Sequence, residues 1–314
     1  MISEAREYLN PKDVQVVVYH KNCQDGMAAA MCAWRLLGEI KYIPMQYNDK
    51  ISDHHYFDKN VLLVDFSWDV KTLQSVRKIA KKVMILDHHR SAIEKLDEIE
   101  GCFFDISESG ASLAWMYFFN NNVPMFIEYI KDRDIWKWEF REKSEPLYYG
   151  IFDRWHRSFR DYEKYVDDEN LLNNLIEHGK NVMKDNQDLI ENNIAPHAQE
   201  SIMFVKNRKY RIMQIKLKTR KLTSEIAEYI YTHNDVDFVV CWSKHRANTI
   251  PEYFEKFAGY FPFNWIWPNQ RYILSFRTNK DHIDVSKIAQ SLGGGGHIKA
   301  AATQINYHPL LILK

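Results

Sequence analysis

Residues 83–89 are Val83-Met84-Ile85-Leu86-Asp87-His88-His89, an apolar run that ends directly in one acid and two histidines. A short continuous apolar run is typical of a strand that is buried on both faces of a parallel sheet. Ligands of such sheets bind at the carboxyl ends of the strands, which is the position of Asp87, His88 and His89. The stretch therefore predicts a buried strand with a functional site at its end.

Two earlier stretches repeat the pattern of an apolar run followed by a polar residue that can bind metal. They are Val14–Tyr19, which precedes His20 and Asp25, and Val61–Val64, which precedes Asp65. Residues with helical spacing separate the runs, at 27–37 and 73–82. Strands that alternate with helices predict an α/β fold with an N-terminal parallel sheet.

The second part of the chain has a different pattern. Residues 161–193 are polar, with apolar residues at helical spacing, which predicts a solvated connector helix. Strand-like runs follow at 212–217, 236–242 and 272–276. We therefore predict two domains, residues 1–195 with the parallel sheet and the connector helix, and residues 196–314 with a smaller α/β fold.

The composition excludes several classes of protein. The chain has 42 basic and 42 acidic residues, and this zero net charge argues against a polybasic nucleic-acid coat. Hydrophobic residues at 46% and charged residues at 27% exclude wholesale disorder. The four cysteines lie far apart, so neither a disulfide framework nor a structural zinc site is expected. We expect a cytoplasmic protein that does not enter a membrane.

The residues at the predicted strand ends suit a metal site. Carboxylates mixed with imidazoles favour Mn²⁺, with Mg²⁺ as the alternative, over thiolate-seeking metals. A lone Asp at a strand end is more often a helix N-cap, but three strand ends that all deliver acids or histidines favour the metal site. Asp53-His54-His55 repeats the same three residue types without a buried strand before it, and we predict a surface loop there.

These residues resemble the motifs of a known family. Residues 83–89 look like the defining motif of the DHH phosphoesterase superfamily, and the other acids and histidines are similar to its metal motifs in order and spacing. The resemblance implies two Mn²⁺ ions, held by His20, Asp25, Asp65, His88 and Asp132, with Asp134 as the alternative to Asp132. It implies three catalytic residues, which are Asp65, His88 and His89.

The resemblance also implies a role for individual residues. Asp65 would bridge the ions and position the attacking hydroxide, His89 would contact the substrate phosphate, and Asp87 would orient the histidines. The family usually has two carboxylates in its first motif, and one of them is missing here. Depending on the alignment, Cys23 or Gln24 stands in its place, which predicts a weakly held ion or a different metal.

The glycine-rich segment Leu292-Gly293-Gly294-Gly295-Gly296-His297 resembles the motif of the C-terminal domain that accompanies DHH domains. Bare backbone N–H groups can approach an anion closely. The predicted substrate-binding residues are Gly294, Gly295, Gly296 and His297, with Arg277 on the preceding strand and His89 at the metal site. The alternative is a helix C-cap turn, for which one glycine suffices. Because related glycine-rich domains occur in alanyl-tRNA synthetases, this motif alone does not predict hydrolysis.

Two further segments have unusual compositions. Residues 201–224 contain eight basic residues and no acid, which suits either guidance of a polyanion or protection of an edge strand against pairing. Residues 253–267 contain eight aromatic residues, for which burial or a homodimer contact is favoured over stacking with bases.

Together these observations predict a metal-dependent phosphodiesterase or phosphatase that hydrolyses phosphoester bonds by metal-activated hydroxide. The candidate substrates are short oligonucleotides, phosphoadenosine phosphate and dinucleotides. A RecJ-like single-strand exonuclease is one alternative, and a non-catalytic nucleotide-binding sensor with a degenerate metal site is another. A pyrophosphatase or polyphosphatase is disfavoured because its relatives carry a different C-terminal domain. The expected partners are the nucleotide substrate and a second copy of the chain.

Overall fold

The computed structural model describes residues 1–46, 49–154, 158–206, 208–219, 222–246 and 270–313. These residues form two compact units, unit 1 from Met1 to Met183 and unit 2 from Lys184 to Lys314. The aromatic segment 253–267 lies outside the described residues. In the described part of the chain, no helix combines the length and the apolar character that crossing a bilayer requires.

Unit 1 contains a sheet of five parallel strands, which confirms the predicted α/β class. The strands are β1 (Val16–His20), β2 (Lys41–Met45), β3 (Asn60–Val64), β4 (Lys82–Asp87) and β5 (Cys102–Phe104), in the spatial order β2-β1-β3-β4-β5. Every residue of β3 and all but the first residue of β4 are buried. This burial on both faces is the reason that the central strands are continuous apolar runs.

The outer strands β2 and β5 lack this signal. β2 contains Pro44, which suits an edge strand because proline donates no ladder hydrogen bond. β5 has only three residues. The apolar pattern therefore predicts the three central strands and misses the two outer ones.

Helices cover both faces of this sheet. They are α1 (Ile2–Tyr8), α2 (Gln24–Leu37), α3 (Val70–Arg77), α4 (Arg90–Leu96), α5 (Gly110–Phe119), α6 (Met125–Asp134), α7 (Arg141–Asp153), α8 (Phe159–Asp167) and α9 (Glu169–Leu189). The core that contains α2 and α5 is rich in small side chains such as Ala29, Ala33 and Ala111, which allow these two helices to approach closely. The core on the other face contains Leu73 of α3 and Leu96 of α4.

Helix α9 carries the chain from one unit to the next. The two units divide between Met183 and Lys184, inside α9, whereas the sequence placed the boundary at residue 195. A π-helical turn at Ile190–Ile194 follows α9, and Ile190 packs in the same core as Ile215 and Ile226 of unit 2. The end of the polar helix is thus assigned to unit 2 by its packing.

Unit 2 has a mixed sheet of six strands. Its elements are β6 (Gln199–Val205), β7 (Arg208–Lys216), α10 (Thr223–His233), β8 (Phe238–Arg246), β9 (Gln270–Arg277), α11 (Val285–Ser291), β10 (Gly295–Gly296) and β11 (Ala300–Ile305). The order is β10-β11-β9-β8-β7-β6, and only β7 and β8 pair in parallel. Short 3-10 turns occur at Pro11–Asp13, Asp53–His55, Ala195–His197 and Pro309–Leu311.

The basic segment does not protect a sheet edge. Its basic residues 208, 209, 211 and 216 lie on β7, which pairs with β6 on one side and β8 on the other. The edge strand β6 has the sequence Gln-Glu-Ser-Ile-Met-Phe-Val, without lysine or arginine. Of the two explanations for the segment, the structure therefore contradicts the one based on an edge strand.

Candidate metal centre

The parallel sheet brings the predicted residues together at one edge. His20 is the last residue of β1, Asp87 is the last residue of β4, and Asp65 directly follows β3. Strands β1, β3 and β4 are neighbours in the sheet and run in the same direction, so these three ends are adjacent. Asp65 has a φ of 53°, a left-handed conformation that turns the chain sharply at the strand end.

Asp65 is the centre of the cluster and is 1% exposed. Its Oδ1 lies 3.2 Å from Nε2 of His88, and its Oδ2 lies 3.6 Å from Nδ1 of His20. Burial alone would raise the pKa of Asp65, but the nearby imidazole of His20 and the hydrogen bond from His88 outweigh it and lower the pKa to about 2. Asp65 is therefore ionised at neutral pH, with one histidine at each carboxylate oxygen.

A second group of ligands lies on the other side of His88. Nε2 of His88 is 3.3 Å from Oδ2 of Asp134 and 4.0 Å from Oδ2 of Asp25. The backbone N–H of Ala111, in the first turn of α5, donates to Oδ1 of Asp25 at 3.0 Å. This bond fixes the Asp25 carboxylate so that its other oxygen faces the cluster.

Asp25 and His88 both have raised pKa values, for different reasons. Burial, together with repulsion from Asp65 and Asp134, raises the pKa of Asp25 well above its usual value. Burial alone would lower the pKa of His88, but its hydrogen bond to Asp65 and the charges of the surrounding acids outweigh it and raise the pKa to about 10. A proton thus balances part of the negative charge that a divalent ion would balance.

The structure corrects the choice between Asp132 and Asp134. The sequence prediction named Asp132 as the last metal ligand, with Asp134 as the alternative. The carboxylate of Asp132 instead accepts the backbone N–H groups of Glu139 at 2.6 Å and Phe140 at 3.2 Å, and the hydroxyl of Ser144 at 2.6 Å. It anchors the start of α7, and Asp134 is the acid that reaches His88.

Asp87 orients His89, the last residue of the motif. Its Oδ1 accepts a hydrogen bond from Nδ1 of His89 at 2.6 Å and from the backbone N–H of His88 at 2.8 Å. The hydroxyl of Ser67 donates to the other oxygen at 2.6 Å. Burial alone would lower the pKa of His89, but its bond to Asp87 and the charges of Asp87 and Asp65 raise it.

Cys23, rather than Gln24, takes the position of the missing carboxylate. Sγ of Cys23 and the ligand atoms of His20 and Asp65 all lie within 4.8 Å of one another. The side chain of Gln24 is directed elsewhere, since its Nε2 donates to the backbone carbonyl of Tyr148 at 2.9 Å. A thiol therefore joins one side of the cluster.

The donor atoms fit divalent metal ions. His20, Cys23 and Asp65 form one group, and Asp25, His88 and Asp134 form another that shares no residue with it. Oδ2 of Asp25 and Oδ2 of Asp65 are buried and accept no hydrogen bond from the residues that the structure describes. Buried carboxylate oxygens without a partner are costly, and cations bound at the two groups would satisfy them.

Two glycines allow the cluster to form. A Cβ on Gly26 would clash with the backbone carbonyl of His20 and lie 2.9 Å from the His20 Cβ. A Cβ on Gly110 would clash with the Asp65 Cβ and lie 2.9 Å from Oδ2 of Asp25. Gly110 was not predicted as a residue of the site. The sequence feature that could have indicated it is its place after Ser109, the N-cap of α5.

In unit 2, the strand β9 that carries Arg277 and the strand β10 that carries Gly295 and Gly296 both pair with β11. Arg277 pairs with Ala300, and Gly296 pairs with Ala301. A Cβ on Gly294 would clash with the carbonyl of Ala302, whereas a Cβ on Gly295 would meet nothing within 4 Å. Gly294 is therefore needed for packing against β11, and Gly295 exposes open backbone.

Arg277 and His297 differ in how they are held. Nη1 of Arg277 donates to the carbonyls of Phe276 at 3.0 Å and Ala301 at 3.5 Å, and its Nε donates to Ser224 at 3.3 Å. Burial lowers the pKa of Arg277. His297 is tied through its backbone N–H to the carbonyl of Ala300 at 2.8 Å, and its residue is exposed.

Two curated proteins are similar to the chain along much of its length, whereas no family model matches it. It is 26% identical over 311 residues to an uncharacterized protein of Acanthamoeba polyphaga mimivirus, covering 93% of this chain and 68% of that protein. It is 25% identical over 238 residues to the oligoribonuclease NrnB of Bacillus subtilis, covering 71% of this chain and 53% of the relative. The chain thus spans about half the length of the oligoribonuclease.

A solved structure shows the same fold. RecJ of Thermus thermophilus, crystallised with Mn²⁺, matches 99% of this chain and 52% of its own chain with a TM-score of 0.51 and 11% identity. The parallel sheet, the Asp87-His88-His89 motif at the end of β4 and the acids at the neighbouring strand ends agree with these likenesses. The fold and these likenesses support the resemblance of the chain to the DHH phosphoesterase superfamily.

Proposed function

We propose that the chain is a divalent-metal-dependent hydrolase of phosphoester bonds in small nucleotide substrates. The observation that carries the proposal is the set of adjoining ligand groups around Asp65 and His88, in which two three-residue groups are linked by a group that contains both residues. The names of an oligoribonuclease among its relatives and of an Mn²⁺-bound RecJ among its structural neighbours support it. Short oligonucleotides, phosphoadenosine phosphate and dinucleotides remain the candidate substrates.

The residues of the centre have distinct parts in this mechanism. His20, Cys23 and Asp65 would hold one ion, and Asp25, His88 and Asp134 the other. When bound, such ions polarise the phosphoryl group and lower the pKa of water. Asp65 is ionised, belongs to the first group and lies 3.2 Å from His88 of the second. Its carboxylate can therefore orient the attacking water toward phosphorus.

His89 would contact the substrate phosphate. Its Nδ1 is held by Asp87 at 2.6 Å, so the contact falls to Nε2. Because the pKa of His89 is raised, the ring retains its proton further toward neutral pH than a free histidine does. A protonated Nε2 can donate to the oxygen on which negative charge develops.

The glycine segment of unit 2 would bind a phosphate group of the substrate. The N–H of Gly294 donates to the carbonyl of Ala289 at 2.8 Å, so the open backbone at Gly295 would approach the anion. Arg277 and His297 would add side-chain donors. Replacement of Arg277 by Met is expected to raise KM more than it lowers kcat, since this residue would contribute to binding. An unchanged KM would contradict this assignment.

A substrate panel tests the proposed function. Purified protein is incubated with Mn²⁺ or Mg²⁺ and with di- to pentanucleotides, phosphoadenosine phosphate and a long 5′-labelled single strand, and products are separated by chromatography. Turnover of the short substrates supports the proposal, and preferential shortening of the long strand supports the exonuclease alternative. No turnover of any substrate would overturn it.

Cys23 supports one alternative function, that of a nucleotide sensor whose metal site has lost a carboxylate. Metal content and nucleotide binding separate the two functions. An enzyme should bind divalent ions and lose them in Asp65→Ala, whereas a sensor should bind nucleotide equally well after chelation of all metal.

A further inference from the structure

A cavity of about 450 Å³ opens beside the metal centre within unit 1. Its lining includes His20, Asp25 and Asp134 of the centre, together with Arg133 of α6 and Tyr148 and Phe152 of α7. Pockets for small ligands have volumes of roughly 300–1,000 Å³, so this cavity has room for a single nucleotide. A ligand in it would contact the metal centre and α7 together.

The wall formed by α7 is aromatic. Tyr148 and Phe152 lie one helical turn apart, and their rings are nearly parallel, at 16°, with centroids 6.4 Å apart. Phe152 is 45% exposed, so part of its ring is accessible to a ligand in the cavity. Aromatic faces of this kind stack with nucleobases of any sequence.

Arg133 of α6 adds a positive charge beside these rings. Its guanidinium lies 3.8 Å from the ring centroid of Tyr148, which holds its plane against the aromatic face. Its Nε is buried and has no hydrogen-bond partner among the described residues. An oxygen acceptor on a ligand would satisfy this donor, and a phosphate oxygen suits a guanidinium best.

We propose that this cavity is a nucleoside pocket, in which the base of one nucleotide of the substrate packs against Tyr148 and Phe152 and its phosphate binds Arg133. The assignment rests on the proposed function, because it places the scissile phosphate at the adjacent metal centre. It makes α7 the element that selects nucleotides over other phosphoesters. A phosphoester without a base would fill only part of the cavity.

Equilibrium binding tests the pocket without turnover. The ligands are the 5′-methylenephosphonate analogue of AMP, whose P–C bond resists hydrolysis, and the matching analogue of ribose 5-phosphate, which lacks the base. Each is titrated by calorimetry into the Mn²⁺-loaded full chain. We expect the AMP analogue to bind at least about tenfold more tightly than the ribose analogue, since one stacked base contributes that much or more.

Variants at two residues, Phe152 and Arg133, separate the base contact from the phosphate contact. Phe152→Ala should weaken the AMP analogue about tenfold and the ribose analogue far less, and Phe152→Trp should restore the affinity. Arg133→Gln should weaken both ligands. The matched controls are Phe57→Ala, an exposed ring that does not line the cavity, and Arg141→Gln, whose guanidinium lies 5.0 Å from the Trp138 ring outside it.

The results distinguish the pocket from the proposed function. Equal affinity for the two ligands, or an unchanged AMP affinity in Phe152→Ala with the wild-type melting temperature, would overturn the pocket even if the protein cleaves dinucleotides. The expected pattern of affinities in a protein that cleaves none of the substrate panel would support the pocket and overturn the proposed function.

Discussion

At the scale of single residues, the centre is a set of buried acids whose negative charge is partly balanced by the proton on His88. Asp65 has a pKa of about 2 and His88 a pKa of about 10, while the pKa of Asp25 is raised. At neutral pH the protein therefore carries protons in the centre that a metal ion must displace. Ligand atoms have to be deprotonated before they bind a cation.

Metal binding should therefore release protons and strengthen as pH rises. The folded His88 loses its proton only near its raised pKa, so at pH 6–8 the ion competes with that proton and the apparent affinity for Mn²⁺ should increase with pH. Calorimetry in two buffers with different ionisation enthalpies should show about one proton or more released per chain. Affinity that is independent of pH, with no proton release, would contradict this account of the centre.

Cys23 should tune the metal preference. A thiolate ligand favours Cd²⁺ and Zn²⁺, whereas a carboxylate favours Mn²⁺ and Mg²⁺. Cys23→Asp should therefore weaken Cd²⁺ binding and strengthen Mn²⁺ binding by about tenfold each. The measurement is the sulfur-to-cadmium charge-transfer absorbance, which should be lost in Cys23→Asp and kept in the control Cys102→Ser. A band of wild-type intensity in Cys23→Asp would show that the thiol does not bind the ion.

At the scale of elements, strand ends and helix starts position the ligands. The central strands β3 and β4 were predictable because burial on both faces makes their sequences continuously apolar. His20, Asp65 and His88 were predictable for the same reason, because they lie at or just after the ends of the apolar strands. Asp134 was not separable from Asp132, because both lie in the last turn of α6 and only the packing of α7 decides which of them is used as an anchor.

Asp132 and Asp134 should therefore separate stability from metal binding. Asp132→Ala removes three hydrogen bonds at the start of α7 and should lower the free energy of unfolding by about 2–4 kcal/mol. Asp134→Ala should leave stability nearly unchanged and weaken Mn²⁺ binding. Chemical denaturation and metal titration of both variants measure this, and the opposite assignment of effects would restore Asp132 as the ligand.

The contact between α5 and the turn after β3 leaves no room for a side chain at Gly110. Gly110→Ala would place a Cβ 2.8 Å from the Asp65 Cα and 2.9 Å from Oδ2 of Asp25. We expect a loss of about 1–3 kcal/mol in stability, together with weaker metal binding because Asp65 has to move. Thermal unfolding checks the first effect, with Gly295→Ala as a control that meets nothing within 4 Å. Wild-type stability and metal affinity in Gly110→Ala would refute the close approach.

At the scale of the whole molecule, two units with different sheets divide the chain after Met183. The sequence pattern distinguishes the parallel sheet from the mixed one, because strands buried on both faces differ from strands that alternate between core and solvent. It does not predict the exact division, since the polar helix α9 has helical spacing throughout and only the contacts of Ile190 assign its end to unit 2. The cavity beside the metal centre was likewise not predictable, because Arg133 and Tyr148 come from separate helices, α6 and α7.

The most direct test compares Asp65 of the metal centre with Asp53, which directly precedes the histidine pair at 54 and 55. Asp65 lies at the end of a buried strand in the metal centre, and Asp53 lies in an exposed 3-10 turn that carries the second Asp-His-His sequence. Steady-state cleavage of a dinucleotide with Mn²⁺ is measured for wild type, Asp65→Asn and Asp53→Asn. The account predicts a rate lowered on the order of a thousandfold in Asp65→Asn and a rate equal to wild type in Asp53→Asn. A wild-type rate in Asp65→Asn would contradict the assignment of the metal centre as the site of phosphoester hydrolysis.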